Sequence, residues 1–537
     1  MTYPRRLERT GGPRRRALAA AVALAVAVTA AGCTSSDTTA DQKGPTLTVD
    51  TAFDLTALDP GRMYESTGEL IDHALYETLL TYGGAHHDDV TRVEPGLATL
   101  HESSDAKTFT LTLRGSPRFS DGTPLTADDV VFSLDRVIGL KAGPAFLLAG
   151  VRVKKRSPTS VVLTTAKPTP ALPAILANPA TGILNAKVVK AHGGTTGQGD
   201  TARRYLDRHS AGSGPYELVS SMPGQQVVLQ ANPDYAGPEP TYGRIVVRDA
   251  ASTSQVGDLR QGHAQVALDL SPSDASGLGR SARVTATASS TLVFLFLNQD
   301  PTVSSITSNP YFVRAVKEAL DYPALAKAAG RGARQANGVV PSLFVGALPD
   351  ADALTQNTAA AKSDLSLSGY AGQQITLDVP SDVTVGGVSL TELASRVSDQ
   401  LAAVGIDVAV DDAPQSTQLD DYRNGLEQAG LWYWGADYPD PSDYLGFTPG
   451  GALGTRAGWG AGADDTVTDL ATLASRPASS ADRASRFGAL QRALNATGPF
   501  VPLIQPAATI AARPRVTGVA YNPVWTLDLA TLGRAKG

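Results

Sequence analysis

Sulfur is scarce in this chain of 537 residues, which has a single cysteine, Cys33, and three methionines. One cysteine closes no intramolecular disulfide, attaches no heme through paired thiols and builds no cysteine-zinc site, so packing alone must hold the fold. The seven histidines make an equally thin metal set. His86 and His87 are adjacent, and neighbours on an extended chain point apart rather than chelate one ion. Positive charge is short as well: 46 lysines and arginines face 52 acids, a formal charge of −6 that argues against a nucleic-acid partner. No GxxxxGK[ST] loop and no GxSxG elbow occurs, and no histidine stands near a nucleophile motif, so the sequence carries no enzymatic signature. No apolar run reaches the ~18 to 20 residues that span a bilayer.

The longest apolar run, residues 17–31, follows a head carrying Arg5, Arg6, Arg14, Arg15 and Arg16 and precedes Gly32-Cys33. Its length of about 15 residues fits a signal peptide better than a membrane helix. Ala30, Ala31 and Gly32 before a lone cysteine resemble the lipobox of bacterial lipoproteins, with Ala30 standing where leucine is usual. That resemblance implies cleavage before Cys33 and a lipid on its thiol, and the polar stretch 34–44 reads as the tether. The arginines leave the Sec and twin-arginine routes both open. Removing residues 1–32 takes away six arginines and one glutamate, which moves the charge from −6 to about −11.

The rest of the chain alternates strand and helix signals, and 42% apolar residues supply ample core for three or four domains' worth of length. TFTLTL at 108–113, VVLT at 161–164 and QVVLQ at 226–230 alternate as strands. Thr126 followed by Asp129 predicts a capped helix start, and Asn309-Pro310 predicts another, with Val313, Val316 and Leu320 on one face. Between 375 and 436 the pattern is sharpest. ITLDV reads as a strand, Ser389 opens a helix striped by Leu393, Val397 and Leu401, Gly405 ends it, and Ile406, Val408 and Val410 begin the next strand. A second helix over 416–428 then leads into LWYWG. Asp437 falls just past that strand's carboxyl end, where open α/β sheets place ligands, so Trp434, Asp437 and Tyr438 are candidate pocket walls. Alternation sets Trp432 and Trp434 on one face and Tyr433 on the other.

LDPG at 58–61, LYETLLTY at 75–82, EPGLA at 94–98 and FSDGTPLTADDVVFSLDRV at 119–137 occur in order, followed by GSGPYEL at 212–218, NPDY at 232–235, Leu297-Asn298, VRAVKEALD at 313–321, LAAVGIDV at 401–408 and WGADYPDP at 434–441. Together they resemble the family 5 extracellular solute-binding proteins of peptide and nickel ABC importers, across nearly the whole mature chain. The resemblance implies an α/β, two-lobed periplasmic-binding-protein-like fold of the type II, large three-domain subclass, hinged between lobes. It implies a signal peptide at 1–32, a tether at 33–44, domain I at 45–92, 208–290 and 508–537, domain II at 93–207, and a carboxyl-terminal lobe at 291–507. Gly214-Pro215 would be a crossing segment, Asp321 a helix end, and Asp440 and Asp443 turn formers.

By the same resemblance the protein is a lipid-anchored receptor outside the cytoplasmic membrane, not an enzyme. It would be a monomer that binds oligopeptides or dipeptides between its lobes and delivers them to a permease driven by cytoplasmic ATPases, with no cofactor and no resident metal. In peptide-binding members the acid of the WxAD stretch pairs the ligand's α-ammonium, a role that falls here on Asp437, with Trp434, Tyr438 and Trp432 as further candidate ligand contacts. Some peptide binders carry arginine three residues before the motif tryptophan, whereas Leu431 stands here, which leaves peptide length open. A nickel complex, a sugar, an opine or a peptide-sensing role in signalling are the alternatives.

Overall fold

The computed structural model describes residues 44–83 and 90–536. Cys33, the leader, the first ten residues of the tether and His86-His87 lie outside them. Three sheets organise the chain. The first has seven strands in the order Arg283–Ala288, Ala507–Ala512, Val266–Ala267, Thr46–Thr51, Arg244–Asp249, Gln226–Ala231 and Tyr216–Met222. The second has six, in the order Arg334–Gln335, Phe500–Gln505, Leu292–Leu297, Ala429–Trp434, Ile375–Pro380 and Val408–Ala413. A smaller antiparallel sheet joins Ala98–Glu102, Thr108–Leu113, Ser160–Thr164 and Arg152–Ser157.

The six-stranded sheet is built on Leu292–Leu297, whose sequence LVFLFL is buried throughout. Alternation divides it between two cores. Val293, Leu295 and Leu297 pack with helices Pro310–Ala319 and Leu390–Ala402, while Leu292, Phe294 and Phe296 pack with Phe447, Leu490 and Phe500 on the other face. The expected strand-helix-strand unit is present: Ile375–Pro380 pairs in parallel with Val408–Ala413 across helix Leu390–Ala402, which Ser389 caps. The second helix is shorter than its sequence pattern. It runs Gln415–Asn424 and stops because Gly425 adopts the left-handed conformation, φ +70°.

Local signals elsewhere read correctly where the chemistry is local. Thr126 and Asp129 form a reciprocal capping box on helix Ala127–Leu140, worth about 1 kcal/mol. Asn309 caps Pro310–Ala319. Asp321, expected to end that helix, instead caps the next one, Tyr322–Ala328, by accepting from the Ala324 N–H at 3.0 Å.

Two adjacent connections join the large sheets. Residues 289–291 carry the chain from Arg283–Ala288 to Leu292–Leu297, and Pro506 alone separates Phe500–Gln505 from Ala507–Ala512. The Ser289 N–H donates to the Pro506 carbonyl at 2.9 Å, which ties the two crossings together. Gly214-Pro215 is not one of them. The Gly214 N–H donates to the Leu75 carbonyl at 3.1 Å at the end of helix Ser66–Leu75, and a Cβ there would sit 2.5 Å from the Ala74 oxygen, so close approach explains that glycine.

Two of the sequence motifs meet in one buried ion cluster. Arg136 donates to both oxygens of Asp59, each at 2.6 Å, and to both oxygens of Asp200, at 2.8 and 2.9 Å, with no solvent exposure at any of the three side chains. Asp59 comes from LDPG and Arg136 from the long 119–137 motif, so both motifs are accounted for by packing.

Candidate functional site

Strand Ala429–Trp434 lies between Leu292–Leu297 and Ile375–Pro380, antiparallel to the first and parallel to the second. Beyond its carboxyl end the chain passes through residues 435–440 into the short turn Pro441–Phe447. Asp440 fixes that turn. Its carboxylate accepts from the Ser442 N–H at 2.9 Å and takes both guanidinium nitrogens of Arg483 at 2.7 Å. It is a turn former, as its flanking prolines predict.

Asp443 is more than a turn former. Its Oδ2 accepts from the Trp434 indole at 3.1 Å and from the Asp437 N–H at 3.3 Å, which sets the loop against the strand end. The Asp437 carboxylate accepts from the Tyr64 hydroxyl, and its carbonyl oxygen accepts from the Asn178 carboxamide at 3.1 Å. The same carboxamide nitrogen donates to Glu69 Oε1 at 3.3 Å. Tyr64, Glu69 and Asn178 all precede the first crossing, whereas Asp437 and Asp443 belong to the six-stranded lobe, so the contact bridges the two lobes. Tyr438 also reaches across, packing against the cluster that contains Tyr82 and Trp525.

Of the four candidate ligand residues, the structure brings Asp437, Trp434 and Tyr438 together, each half-buried. Trp432 is elsewhere. It is 2% exposed, stacked on Tyr422 at 4.1 Å, with its indole donating to Glu427 at 2.9 Å, so it belongs to the core of its lobe. The shared face predicted for the two tryptophans holds, but only Trp434 is far enough along the strand to leave the interior. Tyr64, Glu69 and Asn178 escaped sequence reasoning. Tyr64 lies three residues after LDPG, and that proximity to a motif was the one available signal.

The electrostatics are uniform in sign. Burial pushes Glu69 up to about 8, with Asp437, Asp54 and Glu65 adding to the rise and the Asn178 bond opposing it. Burial also raises Asp437, against the Tyr64 hydrogen bond, and raises Asp443 further because Asp437 is beside it. Tyr64 is driven up by burial and by the neighbouring Asp437 carboxylate. Such a set relaxes when a cation enters, because each carboxylate then gains the counter-charge it lacks. No group of three or more histidine, cysteine or carboxylate side chains suited to a metal ion occurs among the described residues.

A family model, bacterial extracellular solute-binding proteins, family 5 (middle), matches residues 92–454. The chain belongs to this family. This family 5 protein is 26% identical over 490 residues to the "Probable D,D-dipeptide-binding periplasmic protein DdpA" of Escherichia coli (strain K12), covering 89% of this chain and 92% of that one. Its fold superposes on the ABC transporter substrate-binding protein CtaP of Listeria monocytogenes with a TM-score of 0.79, at 18% identity, covering 92% and 100% of the two chains. It superposes on DppA of Helicobacter pylori, solved with the peptide STSA, with a TM-score of 0.73, at 20% identity, covering 92% and 98%. The two-lobed type II architecture follows from these likenesses, and the family is one of receptors rather than enzymes. No helix among the described residues is long and apolar enough to cross a membrane.

Proposed function

We propose that the chain is the peptide-binding receptor of an ABC importer, tethered outside the cytoplasmic membrane by lipid on Cys33. It captures short peptides between the lobes and presents them, as a monomer, to a permease driven by ATPases. In this reading the domains divide as 45–92, 208–290 and 508–537 for domain I, 93–207 for domain II and 291–507 for the carboxyl-terminal lobe. The dipeptide-binding relative favours a peptide over a nickel complex, sugar or opine.

One observation carries the assignment: Asp437, at the carboxyl end of a central strand, presents a desolvated carboxylate at the lobe interface with the Tyr64 phenol as a side-chain partner and, among the described residues, no basic one. An α-ammonium fits that acceptor. Pairing it there engages residues of both lobes, which favours the closed form by the ligand's differential affinity for it. Asp437→Ala is expected to weaken peptide binding about 10- to 100-fold in calorimetry, the size of one charge-assisted hydrogen bond. Unchanged affinity would remove Asp437 from the site. Native mass spectrometry of the gently purified protein identifies whatever co-purifies, and masses that fragment as short peptides are the expected result.

A further inference from the structure

Charge around the lobe interface is one-sided, and the imbalance exceeds what a single α-ammonium corrects. Glu69 and Asp437 approach from opposite lobes and are linked through one Asn178 nitrogen, with Asp443 directly behind Asp437. Asp54 and Glu65 stand behind Glu69 at the start of helix Ser66–Leu75, where Asp54 accepts from the Thr67 N–H at 2.9 Å and Glu65 from the Tyr64 N–H at 3.1 Å. Among the described residues, none of these five carboxylates forms an ion pair with lysine, arginine or histidine. Some buried acids elsewhere are matched by cations, although Asp72 is buried with neither an ion pair nor a hydrogen bond to its carboxylate among the described residues. Asp59 and Asp200 share Arg136, and Asp440 holds Arg483.

The surroundings are aromatic as well as acidic. Tyr64 and Trp434 contact the two acids of the carboxyl-terminal lobe directly, and Phe146, 48% exposed, meets Tyr64 edge-on at 5.3 Å. Aromatic faces attract ammonium and guanidinium groups and lie comfortably along the methylene stem that carries them. Leu431, in the strand leading to the site, supplies no charge for a ligand carboxylate and is wholly buried. A ligand with an acidic side chain would set like charges together, a repulsion that selects against it.

We propose that this cleft is specific for dicationic ligands: peptides whose first residue is lysine or arginine, with the α-ammonium on Asp437 and the side-chain cation on Glu69. The inference rests on Asp437 as the ammonium anchor and adds Glu69, from the opposite lobe, as the determinant of which peptides bind. Glu69 is a specificity-determining residue here because its free carboxylate oxygen is the acceptor that an uncharged first residue leaves unpaired.

The test is calorimetry on the full exported protein with Lys-Ala, Ala-Ala, Glu-Ala and the diamine putrescine, repeated with Glu69→Gln. Lys-Ala is expected to bind about 10- to 100-fold more tightly than Ala-Ala. Glu-Ala should bind more weakly than either, and Glu69→Gln should bring the Lys-Ala to Ala-Ala ratio close to one. Equal affinities for Lys-Ala and Ala-Ala in the unaltered protein, or a ratio untouched by Glu69→Gln, overturn the dicationic inference while leaving peptide capture standing. Binding of putrescine with no binding of any of the three peptides overturns peptide capture and retains the demand for two cations. Failure of all four probes overturns both. Circular dichroism of Glu69→Gln separates a lost acceptor from a lost fold, and Glu69→Asp, which keeps the charge, is expected to retain a preference for Lys-Ala.

Discussion

Glu69 shows how one side chain couples proton binding to stability. Its folded value of about 8 lies above the ordinary 4.5, so between those limits the folded chain keeps a proton that the unfolded chain has released. The resulting stabilisation is complete below pH 4.5 and disappears as pH rises through 8. Glu69→Gln removes that dependence, and its melting temperature is expected to fall less between pH 5 and pH 8.5 than that of the unaltered protein, by an amount worth on the order of a few kcal/mol. Glu77, raised to about 7, and Glu427, raised to about 8, slope in the same direction, so the difference between the two proteins is the diagnostic quantity. A cationic ligand reverses the preference of the site, since it pairs the ionised carboxylates. Binding should therefore release protons and tighten from pH 5 to pH 8. Arg136 makes the opposite case, a charge already matched. Arg136→Met would strip Asp59 and Asp200 of their fully buried cation, leaving them only the longer contacts to Arg62 at 3.4 and 3.2 Å, and is expected to cost about 3 to 5 kcal/mol in denaturant unfolding.

At the scale of single elements, legibility followed the range of the interaction. Thr126, Asn309 and Ser389 were readable as caps because each acts on backbone groups two or three residues away. The position of Asp437 was readable because it depends on one strand's direction and not on a distant partner. Tyr64 and Asn178, which reach Asp437 from 373 and 259 residues away in the chain, and Glu69, joined to Asp437 through Asn178, were not, and nothing in the local pattern distinguishes a glutamate at a lobe interface from one that faces water. Asp443 was read only in part for a related reason: it does lie in the turn Pro441–Phe447, and the same stretch also holds Trp434 and the Asp437 N–H. The helix projected to 428 ends at 424 because apolar spacing continued while backbone geometry did not. Gly425→Ala tests that reading. A side chain there must adopt φ +70° and place its Cβ 3.2 Å from the Thr455 oxygen, so a loss of about 1 to 2 kcal/mol is expected from the shift in denaturant midpoint.

For the whole molecule, the two crossings at 289–291 and Pro506 allow the lobes to move as bodies, and the proposed lipid on Cys33 can be tested apart from that motion. Cys33→Ala is expected to release the protein from the membrane fraction with peptide affinity unchanged, as read by fractionation and calorimetry. Persistent membrane association would argue against lipid on Cys33. The overall two-lobed form was legible only through the ordered motifs, because no local pattern announces that strands from three separated stretches will share one sheet.

That shared sheet has a consequence for how the protein is made. Ala507–Ala512 is an interior strand, pairing with Arg283–Ala288 on one side and Val266–Ala267 on the other, and it is supplied by the last 31 residues of the chain. All six strands of the other large sheet are already complete by Gln505. A chain emerging from amino to carboxyl terminus can therefore finish its second lobe while the first still has a gap between its edge strand Arg283–Ala288 and Val266–Ala267, with unpaired edges on both sides of it. Strand Ala507–Ala512 closes that gap, so a chain cut short before Ala507 keeps two open strand edges for proteases and chaperones to find.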